Sequence, residues 1–523
     1  MKSALLLGIT IACILDARAG AAQLFEVVGR GSPVEDRGIS RGAAWGDFDG
    51  DGDPDLFVSR PTWEGRVQQN MLYRNDGDGR FSRVPGSFGP PGAWEGVVWV
   101  DADGDGDLDL HVVGRDGAGS LLFANSGGTL TLLRPDPLND NVHAASMACW
   151  ADADGDGRLD VFVVGSGAGR NALFRNEGAW RFTPVRLPDQ PEDTGAGRAC
   201  AWTDLDGDGL PELALANARR PNVLLRNRGG MRLEPDLNAP LVRDTAYGYG
   251  LSAPDVNEDG LRDLFVANFD DDNRLYLGDG TGMLTPASLG DQLQSAATKG
   301  HVWGDFDLDG RVDAYLGSGT PRPGMVNRLY IAAEPGLYEL VAAGEFAEHA
   351  DTSAAVAAAD YDLDGDLDLF VANWGSHGSV NRLYRNSATR GWLKVRLQGV
   401  CSNRMGVGAR VSVLTTVHGE RRWLHRWLDA ATGYAGQNEP VMHFGLGDAR
   451  EADSLVVTWP SGNIDRFGRV SAGRTVLIRE GAFAVASYRS GSRTRLFRNA
   501  LGPDLHLSVI SRAGDARCLN RNR

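Results

Sequence analysis

Apolar residues in this chain fall into short runs separated by glycine- and aspartate-rich breaks, with no stretch holding the 3.6-residue period of an amphipathic helix. The runs recur in a fixed order. A small or apolar stretch such as Gly42–Gly46 comes first, and a β-branched or aromatic run follows, as in Leu56–Val58, Val161–Val164, Leu264–Val266 and Leu369–Val371. A third run closes the pattern, at Met71–Tyr73, Ala172–Phe174, Arg274–Tyr276, Arg328–Tyr330 and Arg382–Tyr384, often ending in Arg-Asn and a glycine-rich turn. Some units add a fourth, Arg80–Val84 or Arg181–Val185. Such residues suit a pleated, half-buried surface, so each unit of about 50 residues predicts four short strands, the content of one propeller blade. A linear solenoid is the alternative, but four-stranded units favour radial closure, which leaves only short, protected edges.

Between the first two runs of each unit stands one nine-residue loop of the form D-x-D-x-D-G-x-x-D. Positions 1, 3, 5 and 9 are Asp47, Asp49, Asp51 and Asp55 in the first copy and Asp101, Asp103, Asp105 and Asp109 in the second. They are Asp152, Asp154, Asp156 and Asp160 in the third, and Asp204, Asp206, Asp208 and Glu212 in the fourth. The last three copies supply Asp255, Asn257, Asp259 and Asp263; Asp305, Asp307, Asp309 and Asp313; and Asp360, Asp362, Asp364 and Asp368. First aspartates are 50 to 55 residues apart. The expected fold is therefore all-β, a seven-bladed propeller followed by a small antiparallel β-domain.

The seventh unit lacks an outer strand, whereas Leu24–Val28 repeats the Phe-x-x-Val of Phe81/Val84 and Phe182/Val185. Residues 24–28 are thus expected to complete the last blade and seal the ring. Tryptophan stands two residues before the first aspartate in five units, at Trp45, Trp99, Trp150, Trp202 and Trp303. Large rings at equivalent interior positions fill the wedges between blades, a reading preferred to a set of ligand platforms.

Four or five oxygens converging on one point, with Gly at position 6 for the sharp turn, suit Ca²⁺ at ~2.3 to 2.6 Å. Up to seven structural calcium ions are expected, bound at ~10⁻⁴ to 10⁻³ M as in extracellular modules. The fifth loop, with Asn257, should bind weakest. The net charge of −16 is concentrated in these loops, and seven dications would nearly cancel it. The acidity therefore reports metal sites rather than a cationic partner, and it argues against nucleic acid as a partner.

These loops resemble the FG-GAP/VCBS repeats of integrin-α-type propellers, in which the carboxylates bind calcium and partners bind the ring surface. The propeller is expected over residues 23–389. From residue 390 to 480 the composition changes. Strand-like segments Trp392–Leu397, Gly408–Val413, Glu420–Trp427, Leu455–Trp459 and Thr475–Arg479 suggest a sandwich-like domain. The phrases Ser402–Val411, Gly433-Tyr434, His443–Gly447 and Trp459–Gly462 look like an ASPIC/UnbV domain. Together the two parts are similar to the cartilage acidic protein family, which implies an exported calcium-binding protein with adhesive or matrix roles. Tyr434 and His443 are read as buried structural groups rather than ligand contacts.

Residues 1–22 have the charge, short apolar core and Ala17-Arg18-Ala19 ending of a secretory signal, which places the protein outside the cytoplasm. No other run is long enough to span a membrane. Cys149, Cys200, Cys401 and Cys518 fit no zinc pattern, although export permits a bridge. Residues 481–523 are arginine-rich and read as a poorly ordered tail.

The favoured function is a non-enzymatic binding, adhesion or scaffold module for an extracellular protein or glycan. The alternative is a polysaccharide-active lyase or hydrolase with structural calcium. No H-E-x-x-H, G-x-S-x-G or phosphate-loop motif is present. Catalytic residues would have to break the repeat, as Trp63, Glu64, Trp94, Glu95, His143 and His377 do. These are placed in inter-strand loops and read as surface variation.

Overall fold

The computed structural model describes residues 24–488, apart from residues 32, 63, 135, 137, 139–141, 189–194, 291, 295–296, 321–324, 342–343, 345–351, 376–379 and 483–485. The signal and most of the arginine-rich tail thus lie outside the described residues.

Seven antiparallel four-stranded blades form a closed ring. Blade 1 runs outward from Gly42–Gly46 through Asp55–Ser59 and Met71–Asn75 to Phe81–Arg83. The inner strands of blades 2 to 7 are Ala93–Val100, Ala145–Ala151, Gly197–Thr203, Gly248–Ser252, Thr298–Gly304 and Ser353–Ala359. Outer strands absent from the sequence pattern lie at Leu130–Leu132, Leu233–Pro235, Leu284–Ala287 and Leu337–Leu340. They are short and half exposed, so they carry little hydrophobic signal.

The ring closes as expected. Phe25–Val27 pairs antiparallel with the third strand of blade 7, Phe25 opposite Asn386 and Val27 opposite Tyr384. Phe25 is buried and packs edge-on against Phe306 at 5.7 Å. The repeated tryptophans fill the wedges between blades: the Trp45 indole donates to Ala357 O (3.3 Å), that of Trp99 to Ala44 O (3.3 Å) and that of Trp202 to Cys149 O (3.2 Å). Each bond crosses from one blade to the preceding one, and Trp45 spans the junction of blades 1 and 7. A disulfide between Cys149 and Cys200 ties the inner strands of blades 3 and 4.

The C-terminal part holds two four-stranded sheets around one apolar core that includes Leu393, Val411, Phe444, Leu455 and Val476. One sheet orders Met442–Gly447, Gly391–Gln398, Arg474–Arg479 and Ala486–Tyr488; the other orders Glu420–Trp427, Arg410–Val417, Ser454–Thr458 and Ile464–Phe467. Two expectations need correcting. The domain is not wholly antiparallel, because Gly391–Gln398 and Arg474–Arg479 run parallel. Ala486–Tyr488, assigned to the tail, pairs with residues 475–477, since an edge strand of three residues leaves no periodic signal.

The two parts are joined by an inserted segment. Residues 432–439 enter the axis of the ring, where Gly436 and Gln437 add a parallel strand beside Ala43 and Ala44. Gly433 O accepts the Leu251 amide at 3.1 Å, and the Gln437 side chain bonds both the amide and carbonyl of Trp99. Backbone passes close here: a Cβ on Gly433 would lie 2.4 Å from His301 O.

Candidate metal centres on the loop face

All seven loops lie at the same end of the inner strands. Their shape is fixed from within. The position-5 carboxylate accepts the amide two residues on, as Asp51 does from Asp53 (3.0 Å) and Asp105 from Asp107 (2.9 Å). The position-9 carboxylate takes two amides from different elements. Asp55 accepts from Phe48 (2.9 Å) and Asn75 (2.8 Å), Asp109 from Ala102 and Asn125, and Asp160 from Ala153 and Asn176. Asp263, Asp313 and Asp368 repeat the arrangement, so this residue pins the loop to the third strand.

Positions 1, 3 and 9 converge. Oxygens of Asp47, Asp49 and Asp55 lie within 4.8 Å of one another, as do those of Asp101, Asp103 and Asp109, and of Asp152, Asp154 and Asp160. The same holds for Asp204, Asp206 and Glu212, and for Asp305, Asp307 and Asp313. At position 1, Asp47 Oδ1, Asp101 Oδ2, Asp255 Oδ1 and Asp305 Oδ1 are buried with no hydrogen-bond partner. Glu212 Oε1 and Asp362 Oδ1 are in the same state. Burial first, and neighbouring carboxylates with it, push Asp101, Asp152 and Asp255 up to about 7, and Asp109 and Asp160 up to about 8. Concentrated, withdrawn carboxylate oxygens with spare lone pairs are the donor set of a hard divalent cation, so the residues present fit Ca²⁺.

Two features escaped the sequence reading. Asp366, at position 7 of the last loop and outside the four ligand positions, has both carboxylate oxygens buried without a partner. Burial and then Asp364 push it up to about 9. The other is the asparagine ending the third strand. Asn75, Asn125, Asn176, Asn227 and Asn386 donate to Tyr361 O, Phe48 O, Ala102 O, Ala153 O and Phe306 O at 2.7 to 2.8 Å. Every acceptor is position 2 of the preceding blade's loop. The repeated Arg-Asn was the visible signal, and its role is to latch one loop to the next.

The C-terminal domain sits on this face. Lys394 Nζ reaches Asp360 at 3.0 Å and Glu439 at 3.1 Å, Arg396 reaches Asp47 at 3.1 Å, and the Gly445 amide donates to Asp305 at 2.9 Å. His443 is buried, with Nε2 2.9 Å from Gly365 O, and Tyr434 is buried in the axis, both in structural roles. Of the symmetry-breaking residues, Trp63 and His377 lie outside the described residues. Glu64 and His143 are exposed. Trp94 and Glu95 are not loop residues but lie buried in the inner strand of blade 2. Glu95 pairs with Arg115 at 3.3 Å and Arg41 at 3.6 Å, so surface variation does not describe it.

A family model described as FG-GAP-like repeat matches residues 47–112, 101–163, 152–215 and 255–316, and one described as ASPIC and UnbV matches residues 399–484. The chain is a propeller of FG-GAP-like repeats followed by an ASPIC/UnbV domain. It is homologous to cartilage acidic protein 1 of Mus musculus, with 26% identity over 82% of this chain and 71% of that protein. The Homo sapiens protein is also 26% identical, over 82% and 69%. Among solved structures, an Agrocybe aegerita lectin that recognises non-reducing terminal N-acetylglucosamine aligns with a TM-score of 0.43 and 17% identity, over 65% of this chain and 86% of the lectin. A Bacillus licheniformis rhamnogalacturonan lyase aligns with a TM-score of 0.37 and 13% identity, over 70% and 76%. Among the described residues no helix is long and apolar enough to cross a membrane.

Proposed function

We propose that this chain is an exported, calcium-binding module without enzymatic activity, a ring stiffened by structural calcium that holds an extracellular protein or glycan. Its units are a signal at 1–22, a propeller at 23–389 and the ASPIC/UnbV domain, with the 28 loop residues named above as calcium ligands. The observation that carries the reading is the buried, unpartnered carboxylate oxygen repeated from loop to loop. A carboxylate removed from water costs several kcal/mol unless donors or a cation offset it. Repeating that cost around a ring makes sense if a cation is the intended partner. Export is supported by the signal-like N-terminus and by the Cys149–Cys200 disulfide, a bond that persists in oxidising compartments.

The non-enzymatic reading draws on the ion pairs of Glu95: of the two symmetry-breaking carboxylates named above, Glu64 is exposed and Glu95 is buried and held by two arginines. Metal counting on the purified protein, with thermal melts in calcium and in EDTA, tests the proposal. Several calcium ions per chain and a large fall in melting temperature on chelation are expected. A metal-free protein whose melt ignores EDTA would sink it. Shortened glycan products lost on Glu95→Gln would instead favour the enzyme.

A further inference from the structure

The end of the axis opposite the loops has a different character. In blades 2 to 7 the inner strand begins with a register shift that inserts one extra residue. A bulge of this kind re-aims a side chain. Six residues before each first loop aspartate stand Arg41, Glu95, Ser146, Arg198, Tyr249, Lys299 and Ala354, one per blade. Five of these side chains meet at the axis. Arg41 pairs with Glu95, the Arg198 guanidinium lies 5.8 Å from the Tyr249 ring, and Lys299 Nζ lies 4.5 Å from it. Trp374 closes the circuit, with Lys299 Nζ 3.8 Å and the Arg41 guanidinium 4.4 Å from its ring. Tyr434, on the inserted segment, forms the floor: it packs on Tyr249 at 4.9 Å and its hydroxyl donates to Glu95.

This mouth gathers the guanidinium groups of Arg41, Arg115 and Arg198 and the amine of Lys299, whose pKa is held well below the usual lysine range by burial and then by Arg41, beside the carboxylate of Glu95. Lys299 is only 1% exposed, and among the described residues its Nζ meets aromatic faces but no hydrogen-bond or ion-pair partner. Arg198 Nε and Trp374 Nε1 are likewise buried donors without an acceptor. Two buried donors without an acceptor and an excess of basic side chains therefore converge on this end of the axis. Exposure rises outward, from Lys299 through Arg198 at 8% to the Arg115 side chain at 27%, with the Tyr247 and Phe269 rings on the flank.

We propose that this mouth binds the carboxylate-bearing terminal sugar of an acidic glycan, with Arg198 and Lys299 receiving the carboxylate and Tyr247 and Trp374 flanking the sugar ring. The proposal rests on the reading of the ring as a binding module, and not on calcium in the loops. Guanidinium and ammonium donors match a carboxylate, and aromatic faces suit the C–H face of a sugar. An extended acidic peptide fits less well. It would add to a strand edge, and the inner edge of blade 1 is already taken by Gly436 and Gln437.

Calorimetry on the full chain in millimolar calcium decides the matter, using saturated trigalacturonic acid, the same trisaccharide with its carboxyls reduced, and pentaglutamate. The acidic sugar should bind at least tenfold more tightly than either comparator. Lys299→Met should weaken that binding at least tenfold while raising the melting temperature of the ligand-free protein, because it replaces a buried amine, which burial discourages from ionising, with an apolar side chain. Equal binding of the reduced sugar, tighter binding of pentaglutamate, no binding of the uronate, or a Lys299→Met protein with unchanged affinity would each overturn the proposal. Binding confined to neutral glycans would overturn it while leaving the binding-module reading intact.

Discussion

The two ends of the ring axis use the same seven-fold repeat in opposite ways. At the loop end, equivalent positions carry the same residue type: aspartate first, aspartate or asparagine third, and a carboxylate ninth. At the open mouth, equivalent positions carry Arg, Glu, Ser, Arg, Tyr, Lys and Ala. Where the repeat is kept, the side chains serve every blade alike and build the frame. Where it is abandoned, at positions that geometry turns toward a shared axis, the residues are free to specify one ligand. The mouth also keeps two buried donors, Arg198 Nε and Trp374 Nε1, without an acceptor.

Removing calcium should have the largest effect, and only through the loop end. At 1 mM calcium and a Kd near 10⁻⁴ M each site contributes about 1.4 kcal/mol, so seven contribute about 10 kcal/mol. Differential scanning fluorimetry with and without EDTA reads this directly. The chelated protein should also show an unusual pH trend. Asp101 and Asp152 sit at about 7, and Asp109 and Asp160 at about 8, all raised above the ordinary carboxylate value. Raised carboxylates favour folding when protonated, so stability in EDTA should fall as pH climbs from about 4 to about 8. Calcium should abolish that decline, and a melt in EDTA that improves over the window would contradict the assignment.

A middle-sized effect should come from the floor that separates the ends. Tyr434→Ala opens a cavity beneath the mouth and strips Glu95 of a hydrogen bond, which should cost about 3 to 5 kcal/mol in chemical denaturation. Its effect should appear equally in calcium and in EDTA. The smallest change tests a latch at the loop end. Asn176→Ala leaves Ala102 O and Leu159 O without that donor, for about 1 to 3 kcal/mol, again by denaturant titration.

The frame was legible before any coordinates because it is written seven times. The D-x-D-x-D-G-x-x-D loop located the blades, the tryptophans located the wedges, and the Phe-x-x-Val of residues 25–28 located the closing strand. The outer strands at Leu130–Leu132 and Leu337–Leu340 were not legible, since three or four half-exposed residues carry no period. Nor was the mouth. Arg41, Glu95, Arg198 and Lys299 share a register but not a residue type, so a search for similarity passes over them. The parallel pairing of Gly391–Gln398 with Arg474–Arg479 depends on contacts distant in sequence. The insertion of residues 432–439 into the axis does too, because small and polar residues there read as an ordinary loop.

That inserted segment makes the second domain an axle rather than a pendant. Gly436 and Gln437 run parallel to the innermost strand of blade 1, and the segment is gripped from two other blades, Gly433 by Leu251 and Gln437 by Trp99. A pull on the C-terminal domain would load these bonds along the strand, in shear and together, instead of peeling them open one at a time. Tension arriving from one side of the molecule is therefore delivered to the hub and shared among the spokes, a useful property for any protein that must hold on while something tugs.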